Sequence, residues 1–170
     1  CPRACGADRL HSAGVCGVPW KIKIGRACRH IWEEPPVSGT RGSGTIFFAG
    51  CPLKCAYCQN YALSRGEGRE ISVRQLADIF RLLEDSGAHN INPVTAAHYA
   101  YAVLEAAEIY RPSVPVVFNC GGYESVETLE LLKDLVDIWL PDYKYALRSP
   151  AEKYSRAPDY PETALKALQY

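Results

Sequence analysis

Thr45-Ile46-Phe47-Phe48-Ala49-Gly50-Cys51-Pro52-Leu53-Lys54-Cys55-Ala56-Tyr57-Cys58 is the stretch that decides the fold. Residues 45–50 form a short, almost unbroken apolar run, as expected of a strand buried on both faces of a parallel sheet. Cys51 follows at its C-terminal end, and the three cysteines have the spacing C-x3-C-x2-C. Three thiolates on one loop leaving a buried strand can ligate three irons of a cubane cluster, and the fourth iron then stays open for chemistry. A structural zinc site asks for four closed ligands, usually as two C-x2-C pairs. Only one such pair stands here, which makes zinc the weaker reading for Cys51, Cys55 and Cys58.

Downstream of this loop, strands and helices alternate. Ser72-Val73-Arg74-Gln75 has capping-box spacing, and Val73, Leu76, Phe80 and Leu83 recur at helical intervals until Ser86-Gly87 stops the run. Residues 88–95 form a weaker strand because Pro93 interrupts them, and residues 97–110 form a helix that ends before Pro112. Residues 115–120 are the next strand, and Gly121-Gly122 then turns the chain. Ser125 is placed to cap a helix carrying Leu129, Leu132 and Val136 on one face, and Asp137 starts a further strand. Ser149-Pro150-Ala151-Glu152 is a second capping box, and residues 159–162 open a final helix.

Alternation at roughly 25-residue intervals predicts βα units around a parallel sheet. The expected fold class is α/β, a partial (β/α) barrel truncated after about four units. A closed eight-unit barrel takes about 250 residues, and an open half would leave a buried strand edge uncovered. The remaining units are therefore expected beyond Tyr170. Residues 45–170 make up this incomplete barrel. Residues 1–44 carry four cysteines, Gly and Pro punctuation and little periodicity, an irregular Cys-rich N-terminal segment.

Composition narrows the function classes. With 48% hydrophobic residues, the 170-residue chain has the apolar share of an ordinary globular domain. Lys+Arg and Asp+Glu number 19 each, so nothing in the overall charge attracts nucleic acid or an anionic membrane. No apolar run nears the ~18 residues of a membrane span and no leader pattern is visible, which points to the cytoplasm. The start at Cys1 and the absence of methionine suggest a fragment. In that setting the eight cysteines point to metal or catalytic use rather than disulfides.

The C-x3-C-x2-C loop, with an aromatic before its last cysteine and at the end of the first barrel strand, resembles the radical S-adenosylmethionine (SAM) superfamily. Further segments extend the likeness over essentially the whole chain: Cys1-Pro-Arg-Ala-Cys5-Gly6, Gly14-Val-Cys16-Gly17, residues 32–48, Asn119-Cys-Gly-Gly-Tyr123 and Asp137-Ile-Trp-Leu-Pro-Asp-Tyr-Lys-Tyr145. Together they are similar to the branch homologous to pyruvate formate-lyase activating enzyme. Pro93-Val-Thr-Ala-Ala-His98 departs from it, because the family there is closer to Val-Thr-Pro-Thr-His.

The resemblance implies a 4Fe-4S cluster on Cys51, Cys55 and Cys58 that binds the amino and carboxylate groups of S-adenosyl-L-methionine at its unique iron. A one-electron donor such as flavodoxin or ferredoxin reduces it, and the products are methionine and a 5′-deoxyadenosyl radical that abstracts hydrogen. Related activating enzymes take that hydrogen from a glycine of a glycyl-radical enzyme. By the same likeness Tyr57 lies near the adenine, against the alternative of a packed core aromatic. Asn119, Asp142 and Lys144, with Asn90 and Asn92, are strand-end candidates for binding the cofactor, against the alternative of residues that cap turns.

Other positions carry weaker signals. Cys1, Cys5 and Cys16 form a second set that one more cysteine ahead of Cys1 would complete, for zinc or a second iron–sulfur cluster. Cys28 is another possible fourth ligand, although it and Cys120 also fit buried structural thiols. The glycine run 38–44 precedes a strand instead of following one, which excludes a nucleotide-phosphate loop. Glu33 and Glu34 are expected at the surface, and His89 and His98 as ordinary polar residues. The competing class is a non-catalytic iron–sulfur electron carrier or a zinc-stabilised interaction module. A carrier would need every iron ligated by protein and no polar strand-end pocket.

Overall fold

The computed structural model describes residues 1–170. Its strands are β1 (Ile22–His30), β2 (Ser43–Phe48), β3 (Arg69–Ile71), β4 (Ile91–Val94), β5 (Val117–Cys120) and β6 (Ile138–Pro141). Its helices are α1 (Pro35–Ser38), α2 (Tyr61–Ser64), α3 (Val73–Asp85), α4 (Ala100–Ile109), α5 (Val126–Leu132), α6 (Arg148–Ser155) and α7 (Tyr160–Gln169), with a 3-10 turn at Ala97–Tyr99. All six strands join one sheet in the order β3-β1-β2-β4-β5-β6. The expected run of parallel strands is β2-β4-β5-β6, and β1 lies antiparallel to both β2 and β3.

Local chemistry explains the helix that covers this sheet. The Gln75 N–H donates to the Ser72 hydroxyl at 3.1 Å and the Ser72 N–H to the Gln75 side chain at 2.8 Å, so the capping box starts α3. The helix then buries Leu76, Ala77, Phe80 and Leu83. These side chains share one core with Ile24, Ile46, Phe48 and Ile91 of the sheet and Val103 and Ala106 of α4. Pro93 does not push β4 to an edge, since β4 lies between β2 and β5. The Ile91 and Thr95 N–H groups donate to Pro115 and Asn119 of the β5 side, and the proline falls at the alternate position between them. One rung of the parallel ladder is missing there and the strand persists, because its other side still pairs from Gly44↔Ile91 to Phe47↔Val94.

Three expectations change. The N-terminal segment is not irregular throughout: residues 22–30 form a nine-residue strand. Ile22 and Ile24 are buried, but the register shifts between Ile24 and Arg26, where Gly25 backs onto Leu63. A bulge re-aims the following side chains, which erased the alternation that marks a strand. The box at Ser149 does not form. α6 begins at Arg148 with Leu147 at its N-cap, leaving Pro150 in the first turn, where its missing N–H costs nothing. Ser125 does occupy the N-cap of α5, yet its hydroxyl pairs with that of Thr128 rather than with a backbone N–H.

A second, smaller core lies at the C-terminal ends of the parallel strands. Leu53, Cys55, Tyr123, Tyr145, Ala151, Ala157, Tyr160 and Ala164 compose it, with Cys51 and Cys58 packed against its rim. α6 and α7 thus support the cysteine loop and not the sheet face. Phe80→Ala would empty the main core between α3 and the sheet and should cost about 3–5 kcal/mol in urea unfolding, with the helical circular dichroism retained below the transition.

Candidate functional site

The cysteine loop leaves β2 through Gly50, whose φ is +84°. A Cβ there would stand 2.8 Å from the Val18 methyls and 2.9 Å from the Cys16 carbonyl oxygen, so only glycine lets the chain turn here. The next residue donates its N–H to that same Cys16 carbonyl at 3.0 Å. Burial pushes the Cys51 thiol pKa up, while the N–H groups of Lys54 and Leu53 act against it. Cys55 is buried, and the Ser155 hydroxyl donates to its sulfur at 2.9 Å. Since Ser155 spends its only proton there, the Tyr145 hydroxyl 2.6 Å away must donate to the Ser155 oxygen. Cys51, Cys55 and Cys58 together line a cleft of about 600 Å³.

Facing them across the cleft are the ends of the other parallel strands. Tyr57, Asn119, Asp142 and Lys144 all line it, as do Cys120 and Glu124. Tyr57 is half exposed, edge-on to Tyr145 and Tyr154 at 6.3 Å each. The β5 and β6 ends meet through Gly122, where a Cβ would lie 2.3 Å from the Asp142 carbonyl oxygen. The Tyr160 hydroxyl pins this junction, 2.8 Å from the carbonyls of Gly121 and Asp142 and accepting from the Lys144 N–H at 2.8 Å. The Lys144 ammonium bonds the Asp142 carboxylate. Burial pulls the Lys144 pKa down, but that bond and the charges of Asp142, Cys55 and Cys51 reverse the effect and leave it raised. A cation therefore stands within electrostatic reach of two of the three thiols.

Several residues turn out differently from their sequence expectation. Glu33 is not a free surface group: its carboxylate enters the cleft and accepts from the Asn92 amide at 2.9 Å and the Asn119 amide at 3.2 Å. β1 runs to the N-terminal end of β2, and the turn after it lays Glu33 against Asn92 of β4 and Asn119 of β5, which adjacency to Glu34 could not reveal. Asn90 is structural, accepting from the Ser43 hydroxyl and donating to the Val37 carbonyl, and Asn92 is fully buried beneath Glu33. Neither lines the cleft. Cys28 lies on β1 opposite Thr45, away from the other cysteines. No group of three or more His, Cys, Asp or Glu side chains closes on a point as a mononuclear site would. A cubane corner, ligated at three separate irons, asks for no such closure.

The family profile described as the radical SAM superfamily matches residues 45–170. The chain belongs to the radical SAM superfamily. Membership implies a 4Fe-4S cluster and S-adenosylmethionine, and the donor set fits: three thiols at one strand end, met by backbone N–H groups, a hydroxyl and a lysine. A curated relative is the uncharacterized protein MJ0674 of Methanocaldococcus jannaschii, 27% identical over 170 residues. The match covers 94% of this chain and 49% of the relative, so the chain spans about half of that protein's length. No solved structure matches. No helix is long and apolar enough to cross a membrane.

Two buried titratable groups border this radical SAM site, and the sequence pointed to neither role. Burial pushes the Glu124 carboxyl up to about 7, against the pull of Cys120, Lys144 and the Gly121 and Gly122 N–H groups. One of its oxygens has no partner. A carboxylate two positions past the strand-end Asn119-Cys-Gly-Gly122 turn was the available signal. His98 donates from Nε2 to the Ala49 carbonyl at 2.8 Å behind the cysteine loop, and burial lowers its pKa to about 4.

The signs oppose. Between about 4.5 and 7 the folded state holds more protons at Glu124 than the unfolded chain does, so stability falls as pH rises through that window. Between about 6.5 and 4 His98 stays neutral in the fold while the unfolded chain protonates, so stability falls as pH drops. Glu124→Gln should remove the first slope alone. Urea midpoints of the cluster-free protein should show the variant gaining about 3 kcal/mol on the wild type from pH 4.5 to 7, and a constant difference would refute the assignment.

Proposed function

We propose that this chain reductively cleaves S-adenosylmethionine to generate a 5′-deoxyadenosyl radical for hydrogen abstraction, as an enzyme of the pyruvate formate-lyase activating type. The observation that carries the reading is the placement of Cys51, Cys55 and Cys58 with Lys144 on one cleft at the ends of parallel strands. A 4Fe-4S cluster held by Cys51, Cys55 and Cys58 would supply, when bound, the electron that cleaves the sulfonium of the cofactor. Lys144, kept cationic by Asp142, attracts the carboxylate end. Asn119, oriented by Glu33, offers its amide to polar groups of the same molecule, and Tyr57 offers an edge of the cleft to the adenine. The buried tyrosines beneath exclude water from the thiols. The four parallel strands support reading the sheet as the first part of a (β/α) barrel, with its strand ends as the working face.

The electron donor in this reading is a flavodoxin or ferredoxin and the hydrogen donor a glycine of a partner protein. The intact protein, reconstituted anaerobically with iron and sulfide and then reduced, should release 5′-deoxyadenosine, and Cys55→Ala should release none above background. Lys144→Met should keep its iron yet weaken cofactor binding about 10- to 100-fold in equilibrium dialysis, the range of one charged hydrogen bond. Equal 5′-deoxyadenosine from Cys55→Ala and wild type would sink the proposal. A partner glycine predicts a glycyl radical, read by electron paramagnetic resonance, when a glycyl-radical protein is supplied.

Ser155→Ala tests the hydroxyl that faces Cys55. Removing a donor from a cluster sulfur disfavours the more negative, reduced state. The reduction potential should fall while the iron content stays that of the wild type. An unchanged potential in a redox titration would show that the hydroxyl does not act on the cluster.

A further inference from the structure

The segment ahead of β1 carries three cysteines that the cleft does not use. Residues 1–20 form no helix or strand, and only Cys16 and Val18 among them are buried hydrophobics. Such a segment has little apolar burial to hold it in place, yet it backs directly onto the cysteine loop. The Cys16 carbonyl accepts the Cys51 N–H, and Arg3 donates to the carbonyls of Pro52 and Ser155 at 2.9 Å each.

Its cysteines share a local geometry. Cys5 and Cys16 are each followed by a glycine with positive φ, Gly6 at +62° and Gly17 at +86°. A left-handed residue after a cysteine turns the following N–H groups back toward the sulfur, the backbone nest found at anion and metal–sulfur sites. The Cys5 sulfur faces the N–H groups of Val15 and Ala7, and the residue is exposed. Both sulfurs approach Gly14, where a Cβ would stand 3.3 Å from the Cys5 sulfur and 3.5 Å from that of Cys16. Any larger residue would fill the space that the two thiols face. Cys1 begins the turn that leads into Cys5, closed by the Ala4 N–H on the Cys1 carbonyl. The three thiols do not converge on one point in this structure.

We propose that Cys5 and Cys16, together with Cys1, form a second thiolate metal centre that braces the cysteine loop from behind. A structural ion of the zinc class takes four ligands, so these three thiols supply three and leave one position for a further ligand. Its role is structural: by tying the segment together it holds the Cys16 carbonyl against the Cys51 N–H. It takes no part in the chemistry of the cleft and stands whether or not that chemistry is the proposed one.

The test uses the intact protein with Cys51, Cys55 and Cys58 all changed to alanine, purified anaerobically and analysed for metals and acid-labile sulfide. The expected result is about one thiolate-bound metal ion per chain, lost when Cys5→Ala and Cys16→Ala are added. Zinc without sulfide identifies a mononuclear site, and iron with matching sulfide identifies a cluster on the same thiols. Should the five-fold variant fail to fold, cobalt(II) added to the three-fold variant gives the second measurement: a thiolate-to-cobalt charge-transfer band that alkylation of Cys5 abolishes. With the cleft cysteines intact, Cys5→Ala/Cys16→Ala should lose cluster iron to a chelator several-fold faster than wild type. A metal-free three-fold variant with no cobalt band overturns the proposal. So does a Cys5–Cys16 disulfide in peptide mapping, or metal that persists after both cysteines are removed.

Discussion

Anionic sulfur beside a buried strand end is stable only where donors and cations meet it, and the surrounding structure supplies them from separate elements. The N–H groups of Leu53 and Lys54 come from the loop itself, the hydroxyl of Ser155 from α6, and the ammonium of Lys144 from the chain after β6. Hydrogen bonds to a charged group contribute about 1.5–3 kcal/mol each, and the Lys144 charge adds to them without itself bonding a sulfur. Much of that value exists only when β2, β6 and α6 are assembled together. Thiolate compensation and the order of the parallel strands are thus one constraint.

Tyrosine solves the packing problem this creates. The small core under the cysteines must be apolar enough to exclude water and still satisfy the carbonyls exposed where strands end. Tyr160 is fully buried, yet its hydroxyl sits at the junction of the β5 and β6 ends. Tyr145 passes its proton toward Ser155, and Tyr123 donates to the Asp159 carboxylate at 2.8 Å, the residue at the start of α7. Phenylalanine would fill these volumes and leave buried carbonyl and carboxylate oxygens unpaired, at about 1–3 kcal/mol each.

The parts legible in the sequence are those written in local patterns. The apolar run at Thr45, the capping box at Ser72 and the cysteine spacing each lie within a few residues, and each appears in the structure as a buried strand, a capped helix and a cleft-lining loop. What stayed hidden depends on contacts between distant segments. β1 was masked by a bulge, and its pairing with β2 and β3 is antiparallel in a chain whose other strands signal βα units. Glu33 reaches Asn119 across 86 positions and Ser155 reaches Cys55 across 100, separations no periodicity encodes. Pro93 illustrates the converse: a residue that argues against a central strand is tolerated because its missing N–H removes a single rung.

Glu124 gives the cleft a property that follows from its burial and not from its contacts alone. With a pKa of about 7 it is neither fully ionised nor fully neutral near physiological pH, whereas Lys144 and Asp142 already offset one another. Among Glu124, Lys144 and Asp142, the net charge is therefore set by one proton. A cation entering beside Glu124 favours the carboxylate, lowers its pKa and expels that proton, while an anion does the reverse. Binding of a charged molecule is then linked to proton exchange with solvent, and by reciprocity pH governs which sign of charge the cleft prefers. Such a linkage requires the carboxyl to be dry, and Glu124, though it borders the cleft, is only 5% exposed beside the close approach of Gly122 to the Asp142 carbonyl.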